Sequence, residues 1–496
     1  MRREELEAVA VAGGEPARLL VVSLLERLEA QAGRHEREIA RLEGRVERLE
    51  AQAGQSSRNS SSPPSSDPPK TRKERRAEAR AKAKEWAKAD REGAERKAGG
   101  QPGHRGSGRK LAPEDQVDEI VEHYPDACGG CGREFGGSER VPSSRPARHQ
   151  VAELPPVAVV LTEHRCHRLR CPGCKAKTRG VLPDEVAGSA FGPDLRAAVV
   201  TMTARNRVSR RDMSELAGDL FGLKLSVGSV DAICQRASRI LASPHEALVA
   251  SVLGSPAINV DETGWYTAGE QRTLWTATTP EAAIFRVAED RHRDRLDELI
   301  GGYGGIVCSD RWWAYDHLDS ECRQACWAHL KRDFRRHAEG LAEQQGFGEA
   351  GVALTGRLFK AWRAYGEHQD RRRLKREMKP IQSELRKLLE RAARKSARTR
   401  RHGRFARNLL KIWPALFTFV TVDGVEPTNN PAERSLRGPV IHRKLSHGTR
   451  TDDGERFVER ALSASVTCRL QGRSLFTYLT NALAAGARGD PVPSLT

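Results

Sequence analysis

From Leu25 to Ala53 apolar residues return every three or four positions. Leu25, Ala32, Ile39, Val46 and Ala53 fall at heptad position a, and Leu28, His35, Leu42 and Leu49 fall at d. Branched residues at a with leucine at d favour a parallel two-stranded coil, so residues 1–53 are expected to be a dimerisation helix. Gly33 and Gly44 weaken it by about 1 kcal/mol each relative to alanine, and a single amphipathic helix packed on its own protein is the competing expectation. Residues 54–69 are Ser, Pro and other small or polar residues that cannot bury a core, which predicts a flexible linker. Helical periodicity resumes over 190–245. There the stretch from Leu223 to Ile233 reads as a turn and a helix capped by Ser226 and continuing to about Leu241. The second helix of a helix-turn-helix begins this way, as does any helical hairpin.

From Ala257 the period shortens to that of strands. Ile258 to Val260 predicts a short strand ending at Asp261, and Thr273–Ala277 and Ala283–Val287 predict the next two. Asp290–Ile300 predicts an amphipathic helix. Gly305–Cys308 predicts a buried strand ending at Asp310, and Cys322–Trp327 a fifth strand that leads into a helix through His329 and Arg332. Three strands, a helix, a strand and a strand–helix pair is the order of a ribonuclease H-like domain, in which the first and fourth strands are neighbours. Residues 338–412 are helical by pattern. The expected fold is therefore multidomain α+β. It comprises an N-terminal helix or coiled coil (1–53), a linker and basic tract (54–125), a zinc-binding ribbon (126–182) and a helix-turn-helix-like domain (188–250). The ribonuclease H-like α/β core follows in two parts (255–337 and 426–480), split by a helical insertion (338–425) and followed by a C-terminal tail (481–496).

Charge narrows the partner. The formal net charge is +18, and it is concentrated. Residues 70–110 hold 15 Lys and Arg against 6 Asp and Glu, and residues 371–411 hold 17 against 3, so the rest of the chain is mildly acidic. Positive charge gathered into two tracts suits a polyanion, with nucleic acid the leading candidate, although solvated helix faces are also built this way. The first tract is expected to order only on DNA. The apolar run from Leu19 to Leu25 is far shorter than the roughly 20 residues that span a bilayer. It leads into charged heptads rather than a cleavage site, so no membrane is expected and a bacterial cytoplasm fits.

The chain has 10 cysteines, which in such a setting points to metal chemistry rather than disulfides. Cys128-x-x-Cys131 and Cys171-x-x-Cys174 are two knuckles, each presenting two thiolates, and together they predict one tetrahedral structural Zn²⁺ site. Strand-like stretches such as Val157–Thr162 lie between them. Cys166, His164 and His167 are close enough in sequence to replace a ligand.

Candidate catalysis rests on carboxylates. Neighbouring strands would bring Asp261 and Asp310 together, where two negative charges repel unless a cation lies between them. Mg²⁺ or Mn²⁺ suits such a site, and two ions roughly 4 Å apart can serve an in-line displacement at phosphorus. Taken singly, Asp261 before Glu262-Thr263-Gly264 also reads as turn chemistry, and Asp310 as a cap. A third acid is normally needed, and Glu433 follows Asn430, expected as N-cap, and Pro431, expected at N1. Glu433 at N3 can close a capping box, so position alone does not separate cap from ligand.

Several motifs together resemble the insertion-sequence-sixty-six family of DDE transposases. These are Asp261-Glu262-Thr263-Gly264-Trp265, Ser309-Asp310, Cys326-Trp327-Ala328-His329, Thr428 to Arg437, Arg443 to Gly448 and Thr467 to Arg473, with the Asn59–Pro69 linker, Gly99–His104 and the paired cysteines. The run through Asn429 and Asn430 is the most specific, and the likeness extends from the heptads to about Leu479. One departure is Gly438-Pro439, which is expected to shorten the helix carrying Glu433. The resemblance implies that Asp261, Asp310 and Glu433 are a catalytic triad holding two Mg²⁺ or Mn²⁺ ions. It also implies action on the terminal inverted repeats of a bacterial mobile element, with accessory proteins of the same element as partners.

The expected chemistry is cleavage at element ends to leave a 3′ hydroxyl, then attack of that hydroxyl on target DNA. His329, Arg332, Arg434, Arg437, Arg443 and Lys444 are the candidate DNA contacts. Arg434 and Arg437 lie one helical turn apart, where they can follow a phosphate backbone. The active form is expected to be a homodimer or larger synaptic complex in the bacterial cytoplasm, associated with the nucleoid. The competing functions are a metal-dependent nuclease that cuts without joining and a DNA-binding regulator without catalysis.

Overall fold

The structure, a computed structural model, describes residues 13–53, 111–136, 147–154, 157, 159–394 and 401–496. The expected linker 54–69, the basic tract to residue 110 and residues 395–400 of the second tract lie outside the described residues. The chain divides into two compact units, residues 68–159 and the remainder. The expected zinc domain, 126–182, therefore has Cys128 and Cys131 in one unit and Cys171 and Cys174 in the other.

Helix α1, Gly14–Ala53, runs unbroken through Gly33 and Gly44 for 40 residues, about 60 Å. Ile39, Leu42, Val46 and Leu49, all assigned to heptad a or d, are exposed on it. The expected strand at Val157–Thr162 is not formed: its described residues are irregular, and Val160 and Leu161 are exposed. Strands form instead where a tight turn supplies a partner, as β1 (Arg168–Arg170) and β2 (Lys177–Arg179), antiparallel on either side of Cys171 and Cys174.

The chain enters the main sheet through α2 (Pro193–Ala204), α3 (Arg210–Phe221), α4 (Val227–Ile240) and α5 (Ala242–Leu253). Ser226 caps α4 by accepting from the Ser229 N–H, and Gly222 ends α3 in the left-handed conformation that glycine adopts without strain. The sheet has the order β5-β4-β3-β6-β7, from β3 (Ala257–Thr267), β4 (Glu270–Thr278), β5 (Ala283–Ala288), β6 (Ile306–Ser309) and β7 (Arg323–Ala325). β3, β4 and β5 are antiparallel neighbours, whereas β3, β6 and β7 run parallel. Helix α6 (Arg293–Ile300) makes the crossover from β5 to β6.

Strand β3 does not stop at Asp261. It continues to Thr267 and pairs with β4 as far as Glu270 around a two-residue turn, Ala268 and Gly269, both at positive φ. A hairpin turn of that hand matches the strand twist, so the hairpin extends past the end of the parallel pairing. Strand β7 is shorter than expected, and Trp327 already belongs to helix α7 (Trp327–Ala338).

The helical insertion comprises α8 (Ala342–His368), α9 (Arg371–Arg394) and α10 (Arg401–Lys411). Leu374, Met378, Ile381, Leu385 and Leu389 form one buried face of α9 at helical spacing, packed in a core with Phe334, Leu358 and Phe405. The chain returns through α11 (Asn430–Ser446), α12 (Asp452–Leu470) and α13 (Leu475–Arg488). A second, larger core joins α2–α5, the antiparallel half of the sheet, α12 and α13. The expected tail at 481–496 is part of this core, since Ala482, Leu483 and Leu495 are buried in it.

Candidate active site

The β3–β6 register pairs Ala257 with Ile306, Ile258 with Val307 and Asn259 with Cys308. Two further steps put Asp261 beside Asp310, just past the end of β6. Asp261 also pairs with Thr276 of β4, so it stands within a strand and not in a turn. Burial pushes its carboxyl well above the usual carboxylate range, and Glu262, Asp310 and Glu433 each push it further. All three acids therefore lie within electrostatic reach of Asp261, on elements separated by nearly 50 and more than 120 residues of chain.

Asp310 accepts a hydrogen bond from the Trp312 N–H (2.8 Å), which fixes the loop leaving β6. Arg311 then turns to Asp333 of α7 and lies over the Phe405 ring of the insertion. Glu262, next to Asp261, accepts from the Tyr315 hydroxyl at 3.1 Å. Burial holds its carboxyl up at about 7, Asp310 adds to the shift, and Arg291 partly offsets it.

Glu433 reaches the site through a stitched loop. Asn429 is fully buried, donating to the Val260 carbonyl (2.8 Å) and accepting from the Asn259 side chain (3.0 Å), while the Trp327 N–H donates to the Pro427 carbonyl (2.8 Å). The helix begins one residue earlier than expected, with Asn429 rather than Asn430 at the cap, and no side chain closes it. The capping box expected for Glu433 is not formed, because Glu433 falls at N4 and the Asn429 N–H donates to Cys326 Sγ instead. Oε1 of Glu433 is buried without a hydrogen-bond partner, 3.7 Å from Nδ1 of His329, which is likewise without one. Burial lowers the imidazole pKa, Arg332 lowers it further, and Asp310 and Glu433 partly offset this. The helix then runs straight through Gly438-Pro439 to Ser446. Proline there removes one ladder bond without shortening the helix.

The basic candidates divide. Arg434, Arg437 and Lys444 are exposed on α11. Arg332 has its Nε buried without a hydrogen-bond partner. Arg443 is partly buried and donates to the Gly264 carbonyl, a structural tie to β3 rather than a free surface cation. Beyond it, Gly448 (φ +91°) packs against β3 so closely that a Cβ would stand 2.0 Å from the Tyr266 carbonyl oxygen. Only glycine allows the following Thr449 N–H to donate to that oxygen at 2.9 Å.

Each cysteine knuckle has the local geometry of a thiolate turn. Cys128 N–H donates to Arg133, and Gly132 N–H to Cys128. Cys171 N–H donates to Ala176, and Lys175 N–H to Cys171. Backbone N–H groups at Gly130 and Cys131 lower the Cys128 thiol pKa, as those at Cys174 and Gly173 lower that of Cys171.

Sequence reasoning gave no place in the site to Glu262, Tyr315, Asn259 or Cys326, although Glu262 and Cys326 stood in the motifs it quoted.

These elements define a multidomain mixed helix-and-sheet protein with a cluster of acids where β3, β6 and α11 meet. No helix among the described residues is long and apolar enough to cross a membrane. The chain belongs to the Transposase IS66 family, whose model matches residues 188–456 and so spans every residue of this cluster. Residues 10–110 match a family of unknown function. The chain is 23% identical to the uncharacterized protein y4hP of Sinorhizobium fredii (strain NBRC 101917 / NGR234) over 416 residues, 76% of this chain and 73% of y4hP. It is 26% identical to the uncharacterized protein y4qI of the same strain over 248 residues, 47% of this chain and 45% of y4qI. Family membership supports a transposase role and implies DNA as its substrate.

Proposed function

We propose that the protein is a DDE-type transposase that binds the terminal inverted repeats of a bacterial insertion sequence, cleaves the element ends and joins their 3′ hydroxyls to target DNA. The observation that carries this reading is the convergence of Asp261, Asp310 and Glu433 from β3, β6 and α11, with Asp310 and Glu433 both disfavouring charge on Asp261. Carboxylates that raise one another's cost of ionising are relieved by a cation between them. The buried, unbonded Oε1 of Glu433 fits a metal ligand better than a structural acid. Asp261, Asp310 and Glu433 would hold Mg²⁺ or Mn²⁺, which supplies charge compensation for the nucleophile and leaving oxygen of phosphoryl transfer. The strand order supports a ribonuclease H-like core interrupted by the helical insertion.

The chain's own groups position the reactants. Asn429 locks the start of α11 onto β3 and so sets where Glu433 enters. His329 and Arg332 stand at the buried wall beside Glu433, and Arg434, Arg437 and Lys444 present cations along the outer face of α11 for the DNA backbone. Arg443 acts through β3 instead. The Cys128–Cys131 and Cys171–Cys174 pairs each offer two thiolates suited to Zn²⁺, with N–H groups directed at Cys128 and Cys171. The heptad face of α1 supports a homodimer within a larger synaptic complex, and accessory proteins of the element complete the set of partners.

The test supplies a pre-cut element end with a free 3′ hydroxyl, target DNA and Mg²⁺. Joined product is expected. Cutting of uncut ends without joining of pre-cut ones would replace this reading with a nuclease, and end binding with neither reaction would replace it with a regulator.

A further inference from the structure

Cys326, His329 and Glu433 form a cluster that the carboxylate triad does not account for. One ligand atom from each lies within 4.8 Å of the other two. Cys326 is buried and is the residue before α7, His329 is three residues on, and Glu433 comes in from α11. The Cys-x-x-His spacing is that of a metal knuckle, like the two Cys-x-x-Cys pairs elsewhere in the chain. Burial pushes the Cys326 thiol up to about 11, and backbone N–H groups facing the sulfur partly offset this. The Asn429 N–H donates to it at 3.2 Å, and the backbone N–H groups of Ala328 and His329 are directed at it. Opposite the sulfur stand two buried polar atoms without hydrogen bonds, His329 Nδ1 and Glu433 Oε1, facing each other at 3.7 Å. Buried acceptors are seldom left unbonded, and two that share one gap mark a place for a cation.

We propose that Cys326, His329 and Glu433 are three ligands of a site for one thiophilic divalent cation of the zinc class, with the fourth position open. Ligand bonds of about 2.0–2.3 Å put ligand atoms roughly 3.3–3.8 Å apart in a tetrahedral site. Closing by about 1 Å is enough, and the partly exposed Glu433 side chain can supply it. On binding, the Cys326 thiol releases its proton to solvent, the imidazole binds neutral and the carboxylate binds ionised, so affinity rises with pH. An S, N, O donor set favours zinc or cobalt over magnesium, unlike the all-oxygen surroundings of Asp261 and Asp310. The site shares Glu433 with the proposed triad but does not depend on strand transfer.

The test titrates the metal-free full-length chain with Co²⁺ and reads the sulfur-to-cobalt charge-transfer absorption. Cys326→Ser is expected to bind one equivalent fewer sulfur-ligated Co²⁺ than the parent. Glu433→Gln, which keeps the sulfur, is expected to hold that equivalent at least roughly tenfold more weakly. Asp261→Asn should retain it while losing strand transfer, which separates this site from the triad reading. An equal count of sulfur-ligated Co²⁺ in the parent and a folded Cys326→Ser would overturn the proposal, as would unchanged affinity in Glu433→Gln.

Discussion

Glu262 follows Asp261 directly, and strand alternation turns it to the opposite face of β3, where the Tyr315 hydroxyl meets it. Its carboxyl ionises at about 7 in the fold against an ordinary value of 4.5. The raised value favours the fold fully below 4.5, and this contribution is lost as pH rises through 7. Glu262→Gln keeps an acceptor for Tyr315 but has no charge to bury. In metal-free protein it is expected to raise stability above pH 7 by up to about 3 kcal/mol and to leave stability near pH 4 unchanged. Melting curves across that range check this, and an unaltered pH slope would contradict it. Residues of this kind explain what the sequence disclosed and withheld. The nearness of Asp261 and Asp310 was legible because the strand order makes β3 and β6 parallel neighbours, although β3 runs on past Asp261. Glu262 was not, because its burial depends on Tyr315, a residue 53 positions away. The two readings of Glu433 were separable only once the helix was seen to start at Asn430, which puts Glu433 at N4.

Among the elements, the α12–β5 contact carries the outer edge of the sheet. Thr467, Ser463 and Glu459 accept from the N–H groups of Ala283 (3.1 Å), Phe285 (3.0 Å) and Val287 (2.8 Å). Four helical residues rise about 6.0 Å and two strand residues about 6.6 Å, so the two repeats stay in step over three contacts. An edge that would otherwise offer open N–H groups to another strand is thus covered within the chain. Ser463→Ala should leave the Phe285 N–H buried without a partner and cost about 1–3 kcal/mol, read from the denaturant midpoint. No change would show that this edge is not held by α12. Periodicity revealed the five strands and the helices up to the insertion, but not α12 or α13. It did not reveal bounds set by partners: β3 extends because β4 accompanies it, α11 passes through Pro439, and α13 is held by the core formed with α2. The strand expected at Val157–Thr162 failed for the converse reason, having no paired backbone beside it.

At the scale of the whole molecule, two cores draw on one sheet, whose β3 and β6 carry Asp261 and Asp310. Asn429 and Arg443 both tie α11 to β3, and Arg311 ties the loop after β6 to α7 and the insertion. Ile39, Leu42, Val46 and Leu49 are exposed on α1. Removal of residues 1–53 is expected to lower the oligomeric state measured by light scattering, whereas an unchanged mass would remove α1 from the account of assembly. Transposase membership and the charge tracts lead to DNA, and the acidic cluster specifies the chemistry proposed for it. The most direct measurement is Mg²⁺-dependent strand transfer on labelled element ends by full-length Asp261→Asn, Asp310→Asn and Glu433→Gln, beside an end-binding assay. The account predicts unchanged end binding, with joining reduced by more than the roughly 100-fold that an outer ligand partner can cost. Joined product at the parental rate in any of the three would contradict it.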